Sequence, residues 1–168
     1  MSILEAKKPE NVKVNTLMSS KVIKIKGDNL IPHVAQAFRN HHISSAPVVN
    51  DESEIIGFVT LGDCLKCMVN CLFHENMKSK TVKDIMTTDV ITINDTADIF
   101  ELESLFVGKS LHDVPVVNQS GDLVGMVSRR DALAGIERLY NETTKYAEEL
   151  KKPLELTLIN RMKYLSKN

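Results

Sequence analysis

The chain has 168 residues, of which 43% are hydrophobic and 26% are charged, and its formal net charge is −1 at pH 7. This composition is that of a globular protein and argues against a largely disordered chain. The near-neutral charge offers no general attraction to nucleic acid or anionic lipid, so we expect neither nucleic-acid nor membrane partners. Because the sequence has no apolar run of membrane-spanning length and no secretion signal at its start, it predicts a soluble cytoplasmic protein.

The first half of the chain predicts the element order strand, helix, strand, strand, helix. Short β-branched runs indicate the strands, and apolar residues spaced three and four apart indicate the helices. Gly27-Asp28-Asn29 offers a turn before the first helix, and Thr60 can cap the second. The predicted strands are residues 22–25, 47–49 and 55–59, and the predicted helices run to about His41 and through Leu72.

The second half repeats this pattern at an offset of 68 residues. Pro47-Val48-Val49-Asn50 returns as Pro115-Val116-Val117-Asn118, and sliding residues 14–70 over 82–138 pairs 15 identical residues. An internal repeat of this kind indicates a duplicated structural unit. The predicted helix cap and hairpin strands of the second copy are Asp95-Thr96, residues 114–118 and residues 123–127.

The duplication predicts a mixed α/β (α+β) fold of tandem β-α-β-β-α repeats packed as a pseudo-twofold pair. Each repeat is too small to bury the apolar face of its own sheet, so the halves should cover one another. Beyond the second repeat, Pro153 should interrupt a long helix, and an amphipathic helix then covers either the module itself or a partner. The predicted divisions are an N-terminal segment 1–13, repeats 14–73 and 82–138, a linker 74–81 and a C-terminal helical extension 139–168.

Thr60-Leu-Gly-Asp63 and Ser128-Arg-Arg-Asp131 form the repeated motif that carries chemistry. Each places a hydroxyl at a strand end and a carboxylate in the first turn of the following helix. The free helix amides and the hydroxyl suit a phosphate, and the carboxylate can accept both hydrogens of a ribose diol. The same spacing also forms a capping box, in which the hydroxyl and the acid satisfy backbone amides. Both interpretations stay open, because repetition demonstrates duplication rather than ligand binding.

The two repeats resemble a pair of CBS domains, together a Bateman module, over about residues 12–140. The resemblance rests on the Met-x-x-x-Val-Ile openings at Met18 and Met86, the Pro-Val-Val-Asn strands and the Gly-x-Val-Thr/Ser-x-x-Asp segments. It implies two clefts between the sheets that hold adenosine-containing ligands, namely AMP, ADP, ATP or S-adenosylmethionine. Such a ligand would be regulatory, and no cofactor is required.

The resemblance also implies one ligand-binding site in each repeat. In each site a Val-Ile pair would flank adenine, a Phe or Met side chain would lie against the base, and the hydroxyl and aspartate would hold phosphate and ribose. The predicted first site is Val22, Ile23, Ser44, Ser45, Ala46, Phe58, Thr60 and Asp63. The predicted second site is Val90, Ile91, His112, Asp113, Val114, Met126, Ser128, Arg129, Arg130 and Asp131.

The two predicted sites differ in charge where the family often places basic residues near phosphates. Ser44-Ser45 is neutral, and His112 is followed by the acidic Asp113, which argues against a triphosphate in either cleft. Arg129 and Arg130 could restore positive charge in the second cleft alone. A monophosphate or a sulfonium ligand therefore fits at least as well as ATP.

Cys64, Cys67, Cys71 and His74 share one face of the helix after the first motif. Because Cys64 and His74 would lie about 15 Å apart along the helix axis, one zinc ion could take only two or three of the four. The rest of this helix is nearly all apolar. We therefore expect the cysteines in a core or a dimer interface and predict no metal site.

The sequence predicts a stand-alone regulatory module rather than an enzyme, because no nucleophile motif, phosphate loop or paired acid and base appears. We expect it to bind an adenosine nucleotide or S-adenosylmethionine, to form a homodimer and to signal by conformational change to an unknown effector protein. The alternative is a structural or adaptor dimer with vestigial ligand sites. A third hypothesis is a metal or redox sensor centred on the helix that contains Cys64, Cys67 and Cys71.

Overall fold

The structure, a computed structural model, describes residues 12–74 and 80–141. The strands are β1 (Ile25–Lys26), β2 (Ser45–Val49), β3 (Ile55–Thr60), β4 (Ile93–Asn94), β5 (Asp113–Val117) and β6 (Leu123–Ser128). The helices are α1 (Ile31–His41), α2 (Leu61–His74), α3 (Ile99–Glu103) and α4 (129–141), with 3-10 turns at Val14–Thr16 and Val82–Asp84. The predicted β-α-β-β-α order is confirmed in both repeats.

Each repeat forms a three-stranded sheet with one parallel and one antiparallel pairing. β1 runs parallel to β2, and β2 runs antiparallel to β3; β4, β5 and β6 repeat this arrangement. The central strand β2 contains Pro47, which has no N–H to donate. Because β1 pairs only with Val48 and Val49, Pro47 lies where no β1 partner needs that N–H.

The helix cap of the second repeat differs from the sequence prediction. The cap is Asp98 rather than Asp95-Thr96: the Asp98 carboxylate accepts hydrogen bonds from the backbone N–H groups of Phe100 at 2.9 Å and Glu101 at 3.0 Å. Asn94 accepts the amide and hydroxyl hydrogens of Thr96 instead, which folds that segment into a turn before the helix.

The segment before β1, which contains Val14 and Ser19, packs on the second repeat. We call it the leading segment of the first repeat. The Val14 N–H donates to the Ala97 carbonyl at 3.0 Å, and Val14 is fully buried in the core of the second repeat. Further along, Ser19 and Met126 of β6 exchange two backbone hydrogen bonds of 2.8 and 3.0 Å. The leading segment therefore extends the second sheet rather than its own.

The segment that leads the second repeat packs on the first repeat in the same way. The Val82 N–H donates to the Asn29 carbonyl at 3.0 Å, and Val82 is fully buried in the core of the first repeat. Thr87 and Phe58 of β3 exchange backbone hydrogen bonds of 2.8 and 2.9 Å. Each core thus contains a residue from the other repeat, and this exchange confirms the predicted pseudo-twofold packing.

Two glycines allow the exchanged segments to approach the sheets. A Cβ atom at Gly125 would lie 2.5 Å from the Met18 sulfur and 3.1 Å from the Ser19 carbonyl oxygen. A Cβ atom at Gly57 would lie 2.5 Å from the Met86 sulfur. Glycine is the residue that permits such close approach of backbone and side chain.

α1 and its counterpart in the second repeat end differently. At the end of α1 the Ile43 N–H donates to the Phe38 carbonyl at 3.1 Å. In the second repeat, α3 continues into one turn of π-helix at Ser104–Gly108. The N–H of Leu111, the equivalent of Ile43, donates to the Leu105 carbonyl at 3.4 Å rather than to that of Phe106, the equivalent of Phe38.

The C-terminal helical extension predicted for residues 139–168 falls outside the described residues beyond position 141, as does most of the N-terminal segment and of the linker. Among the residues that the structure does describe, no helix combines the length and apolar character needed to cross a bilayer.

Candidate functional site

Two cavities lie on either side of a wall between the repeats. Cavity A has a volume of about 610 Å³ and cavity B of about 540 Å³, both in the range of small-molecule sites. The wall, lined on both sides by Ser44, Ser45, His112 and Asp113, comes from the starts of β2 and β5. Because residues 44 and 45 are the repeat equivalents of 112 and 113, the pseudo-twofold axis passes through the wall and exchanges the cavities.

Each cavity is built from both repeats, which corrects the predicted grouping of one site per repeat. Val22 and Ile23 line cavity A and Val90 and Ile91 line cavity B. The other predicted residues of cavity A are Met126, Ser128, Arg129, Arg130 and Asp131, and those of cavity B are Phe58 and Thr60. The physical reason is the exchange of leading segments, which carries each Val-Ile pair to the sheet of the other repeat.

Three predicted site residues do not line the cavities as expected. Ala46 and Val114 are buried in the two hydrophobic cores and line neither cavity. Asp63 is absent from the lining of cavity B, although its equivalent Asp131 lines cavity A and its bonding partner Thr60 lines cavity B.

Both hydroxyl–carboxylate motifs adopt the capping-box geometry. Oδ2 of Asp63 accepts hydrogen bonds from the Thr60 hydroxyl at 2.6 Å and the Thr60 N–H at 2.9 Å, and the Asp63 N–H donates back to the hydroxyl at 3.1 Å. Ser128 and Asp131 make the same three contacts at the same distances. The capping interpretation is therefore confirmed, and it holds each hydroxyl and carboxylate in a fixed position at the strand–helix junction.

A carboxylate occupies the wall between the cavities. Oδ2 of Asp113 accepts hydrogen bonds from the Ser44 hydroxyl at 3.0 Å and the Ser45 hydroxyl at 2.8 Å. Ser45 is the repeat equivalent of Asp113, so this contact joins a residue to its own counterpart across the pseudo-twofold axis. The half-buried Asp113 brings negative charge to both cavities at once.

The sequence analysis missed two charged residues that line the cavities. Lys21 lines cavity A, and Asp89 lines cavity B at the equivalent position. Each directly precedes the Val-Ile pair of its segment, so the 68-residue offset carries the signal that identifies both.

Two arginines of cavity A have uncharged equivalents in cavity B. Arg129 and Arg130 begin α4, and their counterparts at the start of α2 are Leu61 and Gly62. Arg129 also has a structural contact: its Nε donates to the Leu111 carbonyl at 2.5 Å and its Nη2 to the Phe106 carbonyl. The guanidinium thus supplies Phe106 with the donor that the π turn removes.

The three cysteines of α2 do not form a metal site with other ligands among the described residues. Cys64 is fully buried in the first core, and burial, aided by the nearby charge of Asp63, raises the pKa of its thiol to about 11. Cys67 and Cys71 are half-buried with sulfurs 3.9 Å apart, and burial also raises the pKa of Cys67. Within residues 12–74 and 80–141, no three His, Cys, Asp or Glu side chains are placed to hold a metal ion.

The nearly all-apolar composition of α2 suggested that the helix is buried on every side. Instead, the face away from Cys64 is apolar and exposed. Leu65, Leu72 and Phe73 are 64%, 71% and 78% exposed.

The arrangement of two exchanged β-α-β-β-α repeats around paired cavities matches a known family. The profile for the CBS domain matches residues 14–70 and again residues 82–138. The chain belongs to the CBS domain family. The CBS-pair resemblance inferred from the sequence is therefore confirmed.

Several curated proteins are similar to this CBS-domain chain. A protein of Methanopyrus kandleri named MK0525, uncharacterized, is 31% identical over 121 residues, which cover 70% of this chain and 61% of that protein. An inosine-5′-monophosphate dehydrogenase of Methanocaldococcus jannaschii is 26% identical over 121 residues, which cover 72% of this chain and 23% of the enzyme. This chain thus corresponds to less than two thirds of either relative.

Solved CBS-pair structures show the same fold. CBSX2 in complex with AMP has a TM-score of 0.68 and 20% identity, covering 76% of this chain and 98% of that chain. The CBS domain pair of protein MJ0100, in complex with 5′-methylthioadenosine and S-adenosyl-L-methionine, has a TM-score of 0.63 and 26% identity, covering 77% of this chain and 99% of that chain.

Proposed function

We propose that this CBS pair is a non-catalytic regulatory module that binds adenosine-containing ligands in cavities A and B. The observation that carries the proposal is the composition of cavity A. It brings an apolar Val-Ile pair from one repeat together with a rigid Ser128–Asp131 motif from the other. The ligands bound by CBSX2 and MJ0100 support the same chemical class.

We assign a role to each part of the site on the basis of its chemistry. Val22 and Ile23 offer an apolar surface for adenine, and Ser128 lies where α4 begins, with amides suited to a phosphate. The cap uses only Oδ2 of Asp131, so Oδ1 has no hydrogen-bond partner among the described residues and can accept from the ribose diol. A charge-assisted hydrogen bond of this kind contributes about 1.5–3 kcal/mol.

Signalling follows from the fact that each cavity spans both repeats. A ligand that contacts Val22 from one repeat and Asp131 from the other stabilises one relative arrangement of the two. An effector protein that prefers that arrangement then responds to the ligand, by no more than the ligand's differential affinity for the two arrangements.

A thermal-shift panel with AMP, ADP, ATP, S-adenosylmethionine and 5′-methylthioadenosine tests the proposal. We expect at least one of these compounds to raise the melting temperature of the wild type, and Asp131→Ala to lose the shift for any ligand of cavity A. Asp63→Ala tests cavity B through Thr60, which lines that cavity and is held by the Asp63 carboxylate. If none of the five shifts the melting temperature of the wild type, the sensor function is wrong.

Asp84→Ala is the matched control for the loss of a cap. Asp84 forms the same kind of capping box with Thr81, through hydrogen bonds of 2.7 and 3.1 Å, but it lines neither cavity. We expect this variant to lose about 1 kcal/mol of stability while it keeps the full ligand-induced shift.

We also propose that the module forms a homodimer through α2 and α4. Large apolar side chains are exposed on both helices, including Leu72 on α2 and Leu133 and Tyr140 on α4 at 60% and 68% exposure. A second copy can bury these faces, and contiguous exposed apolar surface commonly marks such an interface. The same observation favours the second candidate, an adaptor dimer with vestigial cavities.

Sedimentation equilibrium tests the dimer, with Leu72→Asp and Leu133→Asp as disrupting variants. We expect a dimer for the wild type and a monomer for the double variant. Asp122→Asn, on the hairpin between β5 and β6, is a control that should leave the dimer intact. A dimer with no thermal shift for any ligand would support the adaptor function, and a wild-type monomer would exclude it.

A further inference from the structure

The cavities exchanged by the pseudo-twofold axis carry different charge. Cavity A is lined by the three cations Lys21, Arg129 and Arg130, which face the carboxylates of Asp113 and Asp131. These cations are all exposed, so their charges are accessible to a molecule that enters the cavity.

Cavity B has no such excess of positive charge. Among the described residues its lining includes Asp89 and Asp113 but no lysine or arginine. Asp113 lies in the wall and acts on both cavities, so the contrast arises from the positions where lysine and arginines on one side are replaced by Asp89, Leu61 and Gly62 on the other.

We propose that the two cavities select adenosine derivatives by the charge of the 5′ group. Cavity A takes an adenosine with a 5′-phosphate, and cavity B takes an adenosine whose 5′ group is a neutral thioether or a cationic sulfonium. The inference rests on the proposed function, because it assigns a ligand charge to each of the two proposed sites.

The physical basis is that the cavities share the features that suit adenosine and differ in those that suit its 5′ group. Both have a Val-Ile pair and a hydroxyl–carboxylate motif at or beside the cavity. The Asp89 carboxylate repels a phosphate, whereas Lys21 at the equivalent position attracts it. Discrimination between related ligands commonly uses a repulsive element of this kind as well as an attractive one.

Isothermal titration calorimetry on the full chain tests the inference with three probes. The probes are AMP, S-adenosylmethionine and the uncharged 5′-methylthioadenosine. We expect AMP and S-adenosylmethionine each to bind one site per chain, and neither to displace the other at saturating concentration. The preference of each site should weaken at higher ionic strength, because both cavities are open to solvent.

Two charge variants assign each ligand to its cavity. Arg130→Gln should weaken AMP about tenfold and leave S-adenosylmethionine unchanged, whereas Asp89→Lys should weaken S-adenosylmethionine about tenfold and create a second AMP site. Neither variant should change the affinity for 5′-methylthioadenosine. Asp28→Lys is the control: it makes the same change of charge as Asp89→Lys on the exposed turn between β1 and α1, and Asp28 lines neither cavity.

The outcomes separate this inference from the proposed function. Three results would each overturn the charge selection and leave adenosine binding intact. They are two equivalent AMP sites in the wild type, direct competition between AMP and S-adenosylmethionine, and charge variants that behave like Asp28→Lys. Failure of all three probes would overturn the charge selection. If ADP and ATP also leave the melting temperature of the wild type unchanged, the proposed function is wrong as well.

Discussion

The helix α1 and its second-repeat counterpart occupy equivalent positions but satisfy their terminal carbonyls by different means. The Phe38 carbonyl accepts the backbone N–H of Ile43 at the end of α1. The equivalent Phe106 carbonyl lies in a π turn and accepts from the Arg129 side chain, which comes from the start of another helix. The duplicated backbone therefore keeps its fold, while side chains that lie at the cavity edge change both capping and charge.

The largest expected effect tests whether the repeats are equivalent parts of one cooperative unit. Phe38 and Phe106 are buried at equivalent positions in the two cores. Phe38→Ala and Phe106→Ala should each lower the free energy of unfolding by about 3–5 kcal/mol, because each leaves a cavity in a packed core.

Because each core contains a residue of the other repeat, urea unfolding of either variant should show a single transition by circular dichroism. Two separate transitions, only one of them shifted, would show that the repeats unfold independently.

The next effect tests the close approach of an exchanged segment. Gly125→Ala should lower the free energy of unfolding by about 1–3 kcal/mol, because its Cβ atom would overlap the Met18 side chain. Gly62→Ala is the control within α2: its nearest neighbour, the Thr60 hydroxyl, is 3.5 Å away, and alanine should stabilise the helix by about 0.5–1 kcal/mol. Equal effects of the two substitutions in chemical denaturation would contradict the packing described for Gly125.

A smaller effect tests the substitute cap. Arg129→Ala should cost about 1–2 kcal/mol in the free energy of unfolding, because the Phe106 and Leu111 carbonyls lose a charged donor. Arg130→Ala, whose side chain makes no hydrogen bond within the described part of the chain, should stay within about 0.5 kcal/mol of the wild type. Identical stabilities of the two variants would show that the Arg129 contacts do not stabilise the second repeat.

The last effect is a pH dependence in the first repeat, which is absent near neutral pH. Burial raises the pKa of Cys64 from 9.0 to about 11, and its equivalent in the second repeat is Ala132, which does not titrate. The folded state therefore keeps the proton that the unfolded chain releases, so this contribution to stability is complete below about pH 9 and is lost as the pH rises through about 11.

The comparison of wild type with Cys64→Ala isolates this contribution. Between pH 9 and 11 the free energy of unfolding should fall more steeply for the wild type than for the variant. Parallel curves would contradict the raised pKa of the buried thiol.

The sequence predicted the fold well because its evidence is local and duplicated. The alternation of elements and the 68-residue offset were sufficient for the two β-α-β-β-α units. The composition of the cavities was less accessible, because it depends on which sheet accepts each leading segment. The pairing of Ser19 with Met126 decides this, and nothing in the spacing of either residue reveals a contact between the first and second repeats.

The cap of α3 was also difficult to predict from the sequence, because it depends on a local side-chain hydrogen bond. The sequence analysis placed the cap at Asp95-Thr96 and did not consider Asp98. The Asn94 side chain captures the amide and hydroxyl of Thr96, so the chain turns there and the helix starts after Asp98. By contrast, the opposite charges of Lys21 and Asp89 at equivalent positions could have been predicted from the repeat alignment itself.

The central claim, that cavity A binds AMP, is tested most directly by a crystal structure of the protein with saturating AMP. The account predicts nucleotide density in cavity A, with adenine against Val22 and Ile23 and the ribose diol on Asp131. Empty cavities on both sides of the Asp113 wall, or AMP bound elsewhere on the chain, would contradict it.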